Sequence, residues 1–245
     1  MSALDFSRVS WPDVAEATEQ GALAVLAIGA CEQHGAHLPL TTDTDMAQGV
    51  AGRIADELGA LLLPPITYGD AWSNEAFPGT LSLSPTTLRA MIEDIGHGLR
   101  RMGVLGLVIV NGHFGNREPI ALASRALVSA GLPVIALDYP GLEALAEQLC
   151  TSKPAAPGFY HADEVETAIM LVLRPQAVDM SRAAAEYPQF PPTFGMEPMQ
   201  LRRFNASGVF GDPGPATAHT GEALIRGIVA QSLQLIETWQ SAHAI

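Results

Sequence analysis

Apolar segments alternate with amphipathic ones along most of this chain. Residues 23–28 (Leu-Ala-Val-Leu-Ala-Ile) run without a polar side chain and stop at Gly29, the pattern of a strand covered on both faces. Residues 45–58 then place Met46, Val50, Ile54 and Leu58 at helical spacing, with Thr42, Asp43 or Thr44 available as N-cap. A short strand at 61–63 ends against Pro64 and Pro65. A long amphipathic helix is predicted over 86–102, its apolar face holding Leu88, Met91, Ile92, Ile95 and Leu99. The clearest buried strand is 106–110, followed by a helix near 119–130, a strand at 133–137 and a C-terminal helix over 220–239. Strands that are apolar throughout, each followed by a helix, imply an α/β fold with a mostly parallel sheet. A single domain over 1–245 accommodates all of it, since α/β domains commonly reach ~250 residues. The stretch 187–215, rich in Pro, Gly, Phe and Met, reads as irregular chain packed on the core or at a subunit contact.

Polar clusters fall directly after two of these strands. The first, Gly29-Ala-Cys-Glu-Gln-His-Gly-Ala-His-Leu-Pro-Leu-Thr-Thr-Asp43, carries Glu32, His34, His37 and Asp43. Glu32 and His34 lie two apart, so in extended chain they point to one side. The second, Asn111-Gly-His-Phe-Gly-Asn116, presents His113 in a turn. In open α/β sheets, ligands bind beyond the carboxyl ends of the strands, so both clusters should meet at one sheet edge. Histidine with carboxylate ligands suits Zn²⁺, Mn²⁺ or Fe²⁺ with a position left for water. A polar surface loop and a hydrogen-bonding turn histidine are the plainer readings of each cluster alone. Their convergence favours a metal centre. A third stretch, Phe159-Tyr-His-Ala-Asp-Glu-Val-Glu-Thr167, places His161 and Glu166 at a helix entry. There Asp163, and Glu164 with it, read as solvated complements of the helix dipole.

Composition removes several classes. The formal net charge is −13, with 48% apolar and 16% charged residues, which fits a globular enzyme and argues against disorder. No Lys/Arg cluster exceeds a pair, so neither nucleic acid nor an anionic membrane is an expected partner. Cys31 and Cys150 form no ligand or redox spacing and suit a reducing compartment, with a disulfide between them left open. No h-region stands at the N-terminus and no apolar run approaches the ~20 residues of a membrane span, so a cytoplasmic location is expected.

Five segments, in order from about residue 22 to 228, resemble the creatininase (creatinine amidohydrolase) family: Glu32-Gln-His-Gly-Ala-His-Leu-Pro39 with Thr42-Asp43, Phe77-Pro-Gly-Thr80, Asn111 to Asn116, His161-Ala-Asp-Glu-Val-Glu-Thr167, and Gly208-Val-Phe-Gly-Asp-Pro213. The resemblance implies a three-layer αβα sandwich, usually assembled into hexamers. It implies that Glu32, Asp43 and His113 hold one divalent metal, while His34 and the shared Asp43 hold a second. His161 lies where the family has a catalytic histidine, and Glu166 would serve as ligand or proton carrier. Creatininase itself carries an acid two residues after the metal histidine, where this chain has Gly115. The chain therefore resembles the Asn-Gly-His-x-Gly-Asn branch, which includes formamide-cleaving deformylases and a peptidase. Asn74 also stands where members often have a histidine, and Asp163 where they have glycine.

The expected activity is metal-dependent hydrolysis of a C–N amide-type bond in a small molecule: a cyclic amide, a formamide or a peptide. Zn²⁺ is the first candidate, with Mn²⁺ or Fe²⁺ as alternatives. His161 or Glu166 would deliver a proton to the departing nitrogen, and His37 would orient the loop from outside the ligand set. The rival readings are attack on a cyclic ketone C–C bond by the same centre, and a non-catalytic metal- or ligand-binding protein. Ser-His-Asp catalysis finds no nucleophile-elbow motif, and Cys31 reads as a small apolar filler at the strand end.

Overall fold

The apolar runs form the centre of one parallel sheet in the computed structural model, which describes residues 2–245. In chain order the elements are β1 (Leu4–Asp5), α1 (Trp11–Glu19), β2 (Ala24–Ile28), α2 (Thr42–Leu58), β3 (Leu61–Leu62) and α3 (Pro85–Met102). They continue with β4 (Leu107–Asn111), α4 (Arg117–Ser129), β5 (Val134–Leu137), α5 (Leu142–Leu149), α6 (Glu164–Leu173) and α7 (Ala218–His243). The sheet order is β1-β3-β2-β4-β5, with every pairing parallel.

Side-chain alternation divides the core into two layers. Val25, Ala27, Val108 and Val110 face α2, α6 and α7, in one cluster with Val50, Ile54, Ile169, Leu224 and Ile228. Leu26, Ile28, Leu107 and Ile109 face α3 and α4, in a second cluster with Leu88, Ile92, Ala123 and Leu127. β2 and residues 107–110 of β4 lack polar positions because both faces are covered, as the sequence pattern requires. The expected three-layer αβα architecture is therefore present. α3 shows how local chemistry sets an element's ends. Ser84 caps the Thr87 amide, Pro85 occupies the first turn, and Gly103 closes the helix in the left-handed conformation at φ 85°. Among the described residues no helix is long and apolar enough to cross a membrane, and Cys31 and Cys150 are both free thiols.

The topology makes a crevice. After β2 the chain turns to α2 on one face, and after β4 it turns to α4 on the other. β2 and β4 are adjacent, so their connections leave in opposite directions at a topological switch point. The first turn of α2 rises directly beside it. A Cβ on Gly112 would stand 2.3 Å from the Asp43 carbonyl oxygen, so only glycine lets the end of β4 approach that turn.

Several boundaries and elements differ from the sequence reading. Thr42, Asp43 and Thr44 lie inside α2 rather than at its cap, which is Thr41 without a side-chain cap bond. The carboxylate that would have capped the helix, Asp43, points at two histidines instead. Unforeseen were β1, too short to carry a periodicity; α1, which buries only Ala17; and α5, which packs on α7. Segment 187–215 is irregular as expected, with Phe190 and Phe194 packed against Phe159, Phe190 also on Phe210, and Phe204 edge-on to Phe190 and Phe194.

Candidate metal centre

The loop after β2 brings Glu32 and His34 to the crevice, the first turn of α2 brings Asp43, and the turn after β4 brings His113. All four are buried. His113 Nδ1 lies 3.1 Å from Glu32 Oε1 and 3.1 Å from Asp43 Oδ2. His34 Nε2 lies 3.0 Å from Asp43 Oδ1 and 3.6 Å from Glu166 Oε2. Asp43 thus turns one oxygen to each histidine. Ligand atoms fall into two sets, Glu32/Asp43/His113 and His34/Asp43/Glu166, each with its atoms within 4.8 Å of one another. A third grouping joins Glu32, His34 and His161.

Both histidines of the two sets present an acceptor nitrogen to the centre. His34 Nδ1 donates to the Glu32 carbonyl at 3.1 Å, and His113 Nε2 donates to the Asp70 carbonyl at 2.8 Å. A carbonyl can only accept, so the proton of each neutral ring is placed away from the carboxylates. That is how metal-binding histidines are held by their outer partners. His34 Nε2 and Asp43 Oδ2 are buried without any hydrogen-bond partner, and buried polar atoms rarely stay so. Each atom belongs to one of the two ligand sets, and divalent cations held there would meet the need of both, so the residues present fit a metal.

The electrostatics of the protein alone tell the same story. Burial disfavours a charged His34, yet Asp43 and Glu166 overcome it and push its pKa up to about 10. His113 is likewise held well above the ordinary histidine value, burial being outweighed by Glu32 and Asp43. Burial would raise Asp43, but His34 and His113 drive it far below the usual carboxylate range. Burial, reinforced by Asp43 against His34, lifts Glu166 to about 8. Protons here stand in for the positive charge that a metal carries, as a buried carboxylate cluster demands.

Other expected residues sit differently. His161 enters from the loop before α6, stacked on His34 with ring centroids 4.4 Å apart, its Nδ1 3.7 Å from Glu32 Oε1. Burial, with His34 adding to it, lowers its pKa to about 4. The next residue, Ala162, has φ 53°, strain of the kind that collects at functional sites. His37 lies outside both sets, its Nε2 2.9 Å from Thr167 Oγ1. Asp163 caps α6 and Glu164 is its first residue, but the expectation that they are solvated is wrong. Asp163 accepts from the Val165 and Glu166 amides and Glu164 from the Thr151 and Ser152 amides. Both are buried, because the 151–163 loop folds over the start of α6.

Sequence reasoning missed three contributors. Asn74 donates to Glu32 Oε2 at 2.8 Å; its only signal was the family histidine it replaces. Gln33, within the first motif, bridges Asn74 and His161. Tyr139, two residues beyond the end of β5, is buried with its hydroxyl unpartnered and its backbone at φ 47°; a strand end was the available clue. A cavity of about 910 Å³ opens over the centre, reaching Glu32, Asp43, His113, His161 and Glu166, and walled by Tyr139, Phe159 and Phe194.

A parallel αβα sandwich with a histidine–carboxylate cluster at its switch point is the architecture of a metal-dependent hydrolase, here one of C–N amide-type bonds. The chain belongs to the creatininase family, whose model (creatinine amidohydrolase) matches residues 7–236. It is 32% identical over 216 residues to creatinine amidohydrolase of Pseudomonas putida, covering 82% of this chain and 83% of that one. It is 31% identical over 228 residues to the mycofactocin precursor peptide peptidase of Mycolicibacterium smegmatis, covering 89% and 85%. Among solved structures, manganese creatininase superposes with a TM-score of 0.81 at 29% identity, covering 97% of this chain and 98% of that one. Creatininase has been seen with manganese and in a zinc–zinc form, so a divalent metal is the cofactor of this centre.

Proposed function

We propose that the chain hydrolyses a small formamide or peptide amide, rather than creatinine, at a two-metal centre. Glu32, Asp43 and His113 hold one ion; His34, Asp43 and Glu166 hold the other. The observation that carries this reading is Asp43, whose two oxygens face two histidines that both offer an acceptor nitrogen. Zn²⁺ is the ion this mixed histidine and carboxylate set favours, with Mn²⁺ or Fe²⁺ next.

An amide resists hydrolysis because its carbonyl is weakly electrophilic and its nitrogen leaves poorly. Bound divalent ions supply a water acidified toward pKa ~7 and an electrophile for the carbonyl oxygen. Asp43 holds the two halves of the centre together. Glu166 gives one oxygen to the ligand set, and its other oxygen takes the proton of the attacking water and passes it to the departing nitrogen. His161, at the cavity floor, meets the substrate. Departure from creatinine is supported by Gly115. A Cβ there would lie 2.0 Å from the Asp70 carbonyl oxygen, so the acid that creatininase carries at this position has no room.

One domain over 1–245 is supported by two core layers that share a single sheet. Assembly into a homo-oligomer, a hexamer by family resemblance, is supported by large apolar side chains exposed near the centre, Phe114, Leu81 and Tyr68. The free Cys31 and Cys150 support a reducing, cytoplasmic setting. The test is metal analysis of protein purified without chelator, beside a Glu32→Gln/His113→Ala variant, with a screen of formamides and short peptides. Two equivalents of metal, lost in the variant, and turnover of one of these amides are expected. A folded protein that takes up no metal on titration would sink the proposal.

A further inference from the structure

The carboxamides around His161 settle which of its nitrogens carries the proton. The Gly35 amide, which can only donate, lies 2.9 Å from Gln33 Oε1. At the other end, Asn74 Nδ2 donates at 2.8 Å to Glu32, which can only accept. These two anchors fix the orientation of both carboxamides. Gln33 Nε2 therefore faces Asn74 Oδ1 at 3.1 Å with one hydrogen and His161 Nε2 at 2.8 Å with the other. An amide nitrogen has no lone pair to offer, so His161 Nε2 must accept.

We infer that Gln33, anchored by Asn74, fixes His161 as its neutral Nδ1–H tautomer, making His161 a hydrogen-bond donor to the substrate carbonyl oxygen. This rests on the hydrolase reading above and assigns His161 a specific part in it. The donor face of the ring looks toward Glu32, 3.7 Å away, on the floor of the cavity. A ring held this way has no lone pair for a metal, so the grouping of His161 with Glu32 and His34 is not a third ion site. Nor is it a base. As the attacking water forms its bond to the carbonyl carbon, the C=O π pair moves onto oxygen, and the Nδ1–H steadies that charge without giving up its proton. Buried neutral histidines serve other enzymes as electrophiles in this way.

The surroundings of Gln33 leave it no freedom. A Cβ on Gly208 would stand 1.7 Å from Gln33 Oε1, and Gly208 adopts φ 79°. Asn205 accepts from the Gly208 amide at 2.9 Å. His161 is itself tied to the same segment through its carbonyl, which accepts from the Phe210 amide at 3.0 Å. The 205–211 stretch thus closes a slot for one carboxamide beside one imidazole.

Neutron diffraction from deuterium-exchanged crystals, metal-free and zinc-loaded, reads the tautomer directly. A deuteron on His161 Nδ1 and none on Nε2 is expected in both. One on Nε2, or on both nitrogens, overturns the inference. Gln33→Glu replaces the donor with an acceptor and should move the proton to Nε2. Its kcat on the best amide should fall about 100-fold, the usual cost of an oxyanion donor, with metal content retained and KM little changed. Gln33→Met keeps the volume and removes the hydrogen bond, and should lose less, about 10-fold, because the tautomer is freed rather than reversed. Wild-type kcat in either variant overturns the inference. If no amide is turned over with any metal, the hydrolase reading falls, while the tautomer is still decided by the neutron map.

Discussion

Glu166 stands 3.6 Å from His34 across the centre, while the turn that carries His113 has glycine, not an acid, at position 115. The two facts are connected by space. The end of the 69–71 loop, through the Asp70 carbonyl, occupies the volume a residue-115 side chain would need and uses it to hold His113. A carboxylate for the proposed second ion would then come from another element, and α6 presents one from its first turn, braced by the Ala162 amide.

Glu166→Gln should therefore cost one ion of two, while Glu32→Gln costs the other. Metal stoichiometry after dialysis is the measurement. A Glu166→Gln protein that keeps two tightly held ions would remove Glu166 from the ligand set. Gly115→Glu should fail to restore binding in the Glu166 variant and should lower Tm, because its Cβ meets a carbonyl oxygen at 2.0 Å. Steric strain of this kind typically costs 1–3 kcal/mol or more.

Proton linkage gives an independent reading of the same groups. In the metal-free protein His34 (about 10), His113 and Glu166 (about 8) all titrate above their unfolded values. The folded state then binds more protons than the unfolded one above neutrality. The stability from His34 and His113 is complete below pH ~6.5, and from Glu166 below its unfolded value near 4.5; each is lost as pH rises through the folded pKa. Metal-free Tm should thus fall between pH 7 and 10, and the zinc-loaded protein should lack this decline, because ions displace those protons. Calorimetric titration in buffers of different ionisation enthalpy at pH 7 should show about three protons released per two ions. Release of none would contradict the assignment.

How much of this was legible beforehand follows from what each feature depends on. β2 and β4 were readable because two-sided burial leaves a continuous apolar run, β5 because its run is apolar even though this edge strand is only partly buried, and the crevice followed from the order of strands and helices. Glu32, His34, Asp43 and His113 were readable because they sit beside strand ends. β1, two residues long, owes its existence to pairing with β3, which no local pattern records. Asp163 and Glu164 were misjudged as solvated because charge at a helix start says nothing about a loop folding over it. The parts played by Tyr139 and Gln33 were invisible for a related reason, and Asn74 showed only as a replaced histidine, since their roles arise from contacts over long sequence separations.

Tyr139 offers a test in which stability and function part company. Its hydroxyl is buried and unpartnered, and burial, with Asp43 and Glu166 adding to it, keeps the phenol protonated well above its usual range. An unmet buried donor typically costs about 1–3 kcal/mol. Tyr139→Phe should raise the Tm of the metal-free protein by removing that unmet donor, and should shrink the gain in Tm on adding zinc, because the variant would lack a hydroxyl to pair with an oxygen held at the loaded centre. Equal Tm shifts with and without zinc would show that the hydroxyl takes no part in the centre.

The cavity also predicts which charges a substrate carries. Arg117 is the single Lys or Arg among the described residues lining it, against the rim acids Asp138, Glu143 and Glu197. That arginine is already committed. It pairs with Asp138 and lies over the Phe114 ring at 4.3 Å, and Asp138 is held in turn by Asn111 at 3.1 Å. A substrate carboxylate would meet no free cation outside the centre itself. In matched amides differing only at a remote group, kcat/KM should therefore rank amine and neutral forms above the carboxylate. Asp138→Asn releases Arg117 and should raise kcat/KM for the carboxylate form by about 2- to 5-fold, the scale of an exposed ion pair, leaving the neutral form unchanged. A wild-type preference for the carboxylate would mean that the guanidinium exchanges Asp138 for substrate, and that the rim selects for negative charge.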